Sequence, residues 1–484
     1  MGKKSSHSAS KAGDSAADGL ERALGDLWRA VAAGNVLAAE YQTSAIVALP
    51  ELTGGRPEEV ERVAENLVRA TAEHSPRSDA AAFFRLLMSL GPRPVKRAAS
   101  RGLAECTEDG SYPPSWVTDI GRPAPGRAWR QDNGFGEHEF VAVTFSYAGA
   151  EHALLVGISR VEQPALDMIG MGDDPEGMLK SLQEHAGPHQ PLEEITLTEA
   201  RRRIEGPLTQ AAEHPAYALD ESTTLFLPLA RSRVRRLPSD GAGQSVAYTG
   251  ADRAAAVTEF LGRPEASEAG DPEVARFWAT VLTGYSSRVP DEPPAQVGPH
   301  KLGAMVLGHV ATTFTLTTAQ RDGMERAVTL WTRWAAGRQG LDEAAVDQVM
   351  TRLPELLDEF ADAYDHPYSA ASRSYLGDVA TWDVDLPWLA GQLARREFAA
   401  PLPGDRDPSM DDVDATDPRG RAKIALAEFA DCAGGDAEKI QLLAAAARIV
   451  EEVWQDNPTT TWEKAKRLLA EGHSRHDVIH RLAG

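Results

Sequence analysis

Cysteine is nearly absent from this sequence. Cys106 and Cys432 are the two in 484 residues, and neither belongs to a CxxC pair. A disulfide framework and a thiolate zinc site both lack support. Two lone thiols suit a reducing cytosol and are expected as small buried core residues. Long apolar runs are missing too. The longest stretch free of Asp, Glu, Lys and Arg is 302–320, and it holds five threonines, two glycines and His309. A membrane span needs about 20 predominantly apolar residues, so no span is expected. Residues 1–10 carry charge with no apolar stretch behind them, which predicts no signal peptide. No G-x-x-x-x-G-K-[ST] loop, no G-x-G-x-x-G after a strand and no G-x-S-x-G occurs. Nucleotide-cofactor and serine-hydrolase chemistry lose their usual supports, and no cofactor is expected.

Positive charge is in short supply. Lys and Arg total 50 against 72 Asp and Glu, a net charge of −22. That balance favours solubility and repels bulk phosphate, which argues against a nucleic-acid partner and leaves a protein partner as the expectation. Oligomeric state is not readable from these features.

What is present is enough apolar residue, 42%, to build real cores. At roughly 100–200 residues per domain, the length implies two to four modules. Residues 1–19 are small and polar and read as a disordered tail. A helical domain is expected over 20–106. Leu20, Leu24, Leu27, Trp28 and Val31 recur at helical spacing up to Gly34, Pro57 opens another helix, and 80–90 and 95–106 form a pair broken at Gly91-Pro92. An α+β domain is expected over 107–240. Val141, Val143, Phe145 and Tyr147 share one strand face, His152, Leu154, Val156 and Ile158 share the next, and Ala148-Gly149-Ala150 makes the turn between them. Asp174-Pro175 begins a short helix, Thr196 and Glu199 box another, and 223–227 reads as a further strand.

Residues 241–401 return to helix. Thr317 and Gln320 form a capping box, followed by an apolar stripe of Met324, Val328, Trp331 and Ala335. Asp342 caps a helix with stripe Val346, Val349, Leu353, Leu357, Phe360 and Tyr364, which Pro354 should kink or split. Residues 402–419 read as an acidic linker, and 420–484 as a C-terminal helical module. Its first helix carries Ile440, Leu443, Ala447, Val450 and Trp454 on one side and stops at Asn457-Pro458. Thr460 with Glu463, and Ser474 with Asp477, start the next two helices. The fold class is therefore mostly α with one small α+β module, helical bundles flanking a small antiparallel sheet.

The candidate chemistry is thin. His476 and His480 stand at i and i+4 on one helix face, where they are able to chelate a metal, with Asp477 beside the first and His473 just outside. The match to HExxH is poor, because Asp is shorter than Glu and Asp477 already serves as a cap, so no metal ligand is assigned. The tail also mimics the first two helices of a helix-turn-helix, but the recognition helix is missing. Arg201, Arg202 and Arg203, and Arg231, Arg233, Arg235 and Arg236, form basic clusters that suit phosphate or an acidic partner; internal pairing is the better reading in so acidic a chain. Asp405, Asp407, Asp411, Asp412, Asp414 and Asp417 lack the glycine and glutamate of a calcium loop. His152, on an apolar strand face, reads as a satisfied core histidine.

Phe145-Ser146-Tyr147-Ala148-Gly149-Ala150-Glu151-His152-Ala153-Leu154-Leu155 and the closing Gly472-His473-Ser474-Arg475-His476-Asp477-Val478-Ile479-His480 resemble a large uncharacterised family of actinobacterial proteins. The tail is similar to a short C-terminal module on other bacterial proteins of unknown function. The resemblance implies no activity and transfers no catalytic residue. The leading expectation is a non-enzymatic interaction or regulatory protein of the bacterial cytoplasm. The alternatives are a metal-dependent hydrolase using His476 and His480, and a nucleic-acid accessory protein using the arginine clusters.

Overall fold

A computed structural model describes residues 22–52, 57–107, 114–147, 150–162, 164–185, 190–213, 219–239, 248–287, 292–377, 386–430, 432 and 436–483. The expected tail at 1–19 and the turn residues Ala148 and Gly149 lie outside them. The fold is mostly helical with one small five-stranded antiparallel sheet. No helix among the described residues is long and apolar enough to cross a membrane. The chain divides into two compact units, one within Met1–Arg160 and Pro164–Gln244, the other within Val161–Gln163 and Ser245–Gly484.

The first unit opens with a helix over 22–33. It ends where Gly34 takes φ +67°, a left-handed conformation that glycine adopts without steric cost. Helices Val36–Leu52, Pro57–His74, Arg77–Leu90 and Arg93–Thr107 follow. Leu27, Val31, Ala39, Phe83, Phe84, Leu86 and Leu87 build their shared core. The sheet comes next, with β1 Ala124–Asp132, β2 His138–Tyr147, β3 Ala150–Ser159, β4 Ala165–Gly172 and β5 Glu193–Ile195 in the order β4-β3-β2-β1-β5. The register of β2 on β3 sets Val141 opposite Val156, Val143 opposite Leu154 and Phe145 opposite His152. The alternating face expected from the sequence is thus buried. Helices Leu197–Glu213 and Glu221–Val234 cover it with Ala200, Ile204, Leu208, Leu227, Ala230 and Val234.

The strand expected at 223–227 is instead the first turn of helix Glu221–Val234. Asp220 decides this. Its carboxylate accepts from the Thr223 N–H at 2.7 Å and from the Thr223 hydroxyl at 2.9 Å. An N-cap of this kind outweighs the β preference of two threonines. The same helix contains Pro228, which supplies no backbone N–H. Beside it the Ser44 hydroxyl enters the helix ladder, accepting from the Leu229 N–H at 3.2 Å and donating to the Leu225 carbonyl at 2.7 Å. Removing a hydroxyl that serves two buried backbone groups costs about 1–3 kcal/mol. Ser44→Ala is therefore expected to lower the denaturant midpoint of unfolding correspondingly. An unchanged midpoint would mean that the ladder closes without it.

The regular elements among the described residues of the second unit are all helices. Thr317 and Gln320 form the expected reciprocal box, with Gln320 N–H to Thr317 Oγ1 at 3.2 Å and Thr317 N–H to Gln320 Oε1 at 2.8 Å. Trp331 is fully buried and donates to Thr283 Oγ1 at 3.2 Å. Helix Glu343–Asp365 runs unbroken through Pro354, which stands on the exposed side where the lost backbone bond is tolerated. Its inward face includes Leu356, while Leu357 is half-buried.

Composition makes 402–419 a linker, but in the structure this segment packs. Leu402 and Ala415 are buried, and Arg406 ties the loop by donating to the carbonyls of Asp411 at 2.7 Å and Val413 at 3.2 Å. Asp407, Asp414 and Asp417 accept from N–H groups two residues ahead, so the acidic residues are turn and cap formers. The tail forms helices Asp436–Gln455, Thr459–Ala470 and Arg475–Ala483. The first of these buries Ala446, Ile449, Val450, Val453 and Trp454, whereas Ile440 is exposed. Thr460 lies inside the second helix, whose cap position is Pro458 and has no side-chain bond. Ser474 and Asp477 do start the third, with Asp477 N–H to Ser474 Oγ at 3.1 Å and Ser474 Oγ to Asp477 Oδ2 at 2.8 Å.

Candidate functional site

The most concentrated polar chemistry in the first unit lies under the sheet. Glu40 comes from helix Val36–Leu52, Tyr147 from the end of β2, His152 from the start of β3 and Arg233 from the end of helix Glu221–Val234. Glu40, His152 and Arg233 are fully buried and Tyr147 nearly so. The Glu40 carboxylate accepts from Arg233 Nη2 at 2.5 Å, from the Tyr147 hydroxyl at 2.8 Å and from the Gly121 N–H at 2.9 Å. Gly121 reaches it from a left-handed turn at φ +67°. Arg233 Nε donates to His152 Nε2 at 2.8 Å, which makes that nitrogen an acceptor and the ring neutral.

Aromatic packing holds the histidine ring. It stacks on Phe145 at 5.5 Å and on Tyr147 at 5.7 Å between centroids. Burial, reinforced by the Arg233 charge, presses the His152 pKa down to about 3. Burial also drives ionisation of the Tyr147 phenol well above its usual range. His152 is thus a buried core histidine, but not the fully satisfied one expected: its Nε2 accepts from Arg233, while its Nδ1 has no hydrogen-bond partner among the described residues. These four buried groups, from two helices and two strands, tie the elements of the unit together.

The first arginine cluster pairs internally, and the second does so in part, through Arg233 with Glu40. Arg201 binds Glu205 at 2.9 Å, and Arg202 and Arg203 bind Glu199 at 2.8 and 2.7 Å. The buried Glu139 receives Arg203 at 2.7 Å, Arg130 at 3.0 Å and Arg160 at 3.4 Å. Arg231 donates to the Leu208 carbonyl at 3.2 Å, and Arg235 and Arg236 are exposed.

In the second unit, the two histidines of the tail have different surroundings on helix Arg475–Ala483. His480 is exposed, whereas the His476 ring lies flat on Phe429, 4.4 Å between centroids and 13° between planes. Its Nε2 stands 3.1 Å from Cys432 Sγ, and its Nδ1 stands 3.9 Å from Glu428 Oε1. Arg475 holds the other Glu428 oxygen and donates to the Phe398 carbonyl at 2.6 Å, at the end of helix Leu386–Ala399. Among the described residues no three His, Cys, Asp or Glu side chains are grouped to hold a metal. Cys106 is buried as expected, but Cys432 is half-buried and faces an imidazole. Cys432 lies just past helix Pro418–Glu428, where its N–H donates to the Phe429 carbonyl and its sulfur meets helix Arg475–Ala483.

Sequence reasoning reached His152, Arg233 and His476 singly and missed Glu40 and Glu428 altogether. A signal existed for the first set: one acid among the small and apolar residues at 36–50, and Arg233 in the apolar run that starts at Leu225. No family model, no curated protein and no solved structure matches the chain.

Proposed function

We propose that the chain is a non-enzymatic interaction or regulatory protein of the bacterial cytoplasm, related to the actinobacterial proteins it resembles, and that it binds a protein partner through the helical surface of the second unit. One observation carries this reading. Helices Leu386–Ala399 and Pro418–Glu428 both pack on helix Asp436–Gln455, and each of the three leaves one large apolar side chain in solvent. Trp388 is 47% exposed, Leu426 41% and Ile440 67%. Tryptophan is among the side chains that protein interfaces use most effectively as anchors, and exposed apolar surface beside it adds area to bury.

The test is capture from a native bacterial lysate with the parent chain and with Trp388→Asp plus Ile440→Asp. The parent is expected to retain a specific partner and the variant to lose at least about tenfold in affinity, since buried anchors each contribute about 2 kcal/mol or more. Circular dichroism of the two proteins should match. A parent that retains nothing specific, or a variant that retains the same partner equally, overturns the reading.

A further inference from the structure

The pairing of Cys432 with His476 points to reactivity at the sulfur. A thiol becomes a nucleophile when a base takes its proton, and here the base is in place. Cys432 Sγ and His476 Nε2 are 3.1 Å apart, within bonding distance for sulfur. The ring does not turn freely, because Phe429 stacks on its face. Glu428 lies on the far side, its Oε1 3.9 Å from Nδ1. Arg475 anchors that carboxylate in turn. Cys432 is half-buried and the His476 side chain 37% exposed, so the pair is not sealed from solvent.

We propose that Cys432 is a thiol modification site, oxidised by hydrogen peroxide and then capped by a small-molecule thiol. His476 accepts the thiol proton. The thiolate sulfur attacks one peroxide oxygen, the O–O bond breaks, and the sulfur loses two electrons to become the sulfenic acid. The departing hydroxide takes the proton from His476 and leaves as water. A free thiol then attacks the sulfenic sulfur, its proton leaves with the hydroxyl as a second water, and a mixed disulfide remains. The resolving thiol comes from solution, because the chain's other cysteine, Cys106, is buried in the core of the first unit.

The test is intact-mass and peptide mapping of the full chain exposed to hydrogen peroxide, with and without glutathione. One oxygen is expected on Cys432 without glutathione, and one glutathionyl group with it. Cys432→Ser should show neither. His476→Phe keeps a ring on Phe429 and removes the base, so modification should slow at least about tenfold, at the lower end of what a positioned base contributes. A second measurement needs no variant: native Cys432 should react faster than the same thiol in the urea-unfolded chain, despite its partial burial. Equal rates in the native and unfolded chains, or an undiminished rate in a folded His476→Phe protein, overturn the proposal.

Discussion

Glu40→Gln is expected to destabilise the first unit by about 3–5 kcal/mol, the cost of leaving one member of a buried ion pair without its partner. The substitution keeps the shape and an acceptor oxygen for Tyr147 and Gly121. What it removes is the charge facing Arg233 at 2.5 Å, with both side chains wholly out of solvent. Little else near Arg233 balances it. His152 is a neutral acceptor, and the aromatic faces of Tyr147 at 5.4 Å and Phe145 at 6.0 Å supply only a weak cation–π attraction. Chemical denaturation followed by circular dichroism reads the loss. Adding Arg233→Met should restore part of it, because removing both charges deletes the desolvation cost along with the attraction. If the single variant unfolds within about 0.5 kcal/mol of the parent, as ordinary surface substitutions do, the pair is solvated and the buried cluster is misdescribed.

Acid should weaken the same unit before its surface carboxylates are titrated. The His152 pKa falls from the ordinary 6.5 to about 3 in the folded protein. Between those values the unfolded chain binds a proton at this site and the folded chain does not. Stability therefore rises with pH across the window, and acidification removes it at about 1.4 kcal/mol per pH unit. By pH 4 the loss attributable to His152 reaches about 3 kcal/mol, and it saturates near pH 3. Protonation would also set a positive imidazole against Arg233 with Glu40 as the one carboxylate in the cluster. His152→Gln offers an amide oxygen to Arg233 Nε and does not titrate, so its stability profile should be flatter by one proton between pH 6.5 and 4. A parent and variant with parallel profiles would show that the ring is free to protonate where it sits.

The reach of the sequence is instructive in particulars. The hairpin of β2 and β3 was legible because alternation has a period of two and Val141, Val143 and Phe145 have one buried face. The starts at Thr317 and Ser474 were legible because capping is local, three residues from end to end. The strand expected at 223–227 gave way to another local signal, the Asp220 cap, and two expectations gave way to tertiary context: Pro354 stands on an exposed face of a helix that is not split, and Ile440 projects from a helix whose buried side is rotated away from it. The sites were the least legible part. Cys432 and His476 are 44 residues apart, and Glu40 and Arg233 are 193 apart, so no window along the chain contains either pair.

That last separation has a consequence for synthesis. Glu40 leaves the ribosome long before its counter-charge exists. At roughly 5–20 residues per second, the 193 residues to Arg233 take about 10–40 s to make. Through that interval the helix Val36–Leu52 presents an acid on a face that is destined to be dry, and Gly121 and Tyr147, made earlier than Arg233, offer it hydrogen bonds but no counter-charge. The N-terminal helices and the sheet are therefore bound to a common completion time, set by the arrival of helix Glu221–Val234. A nascent chain halted shortly before Arg233 should remain open to proteases and chaperones over its whole first half, whereas one halted after residue 239 and clear of the exit tunnel should not.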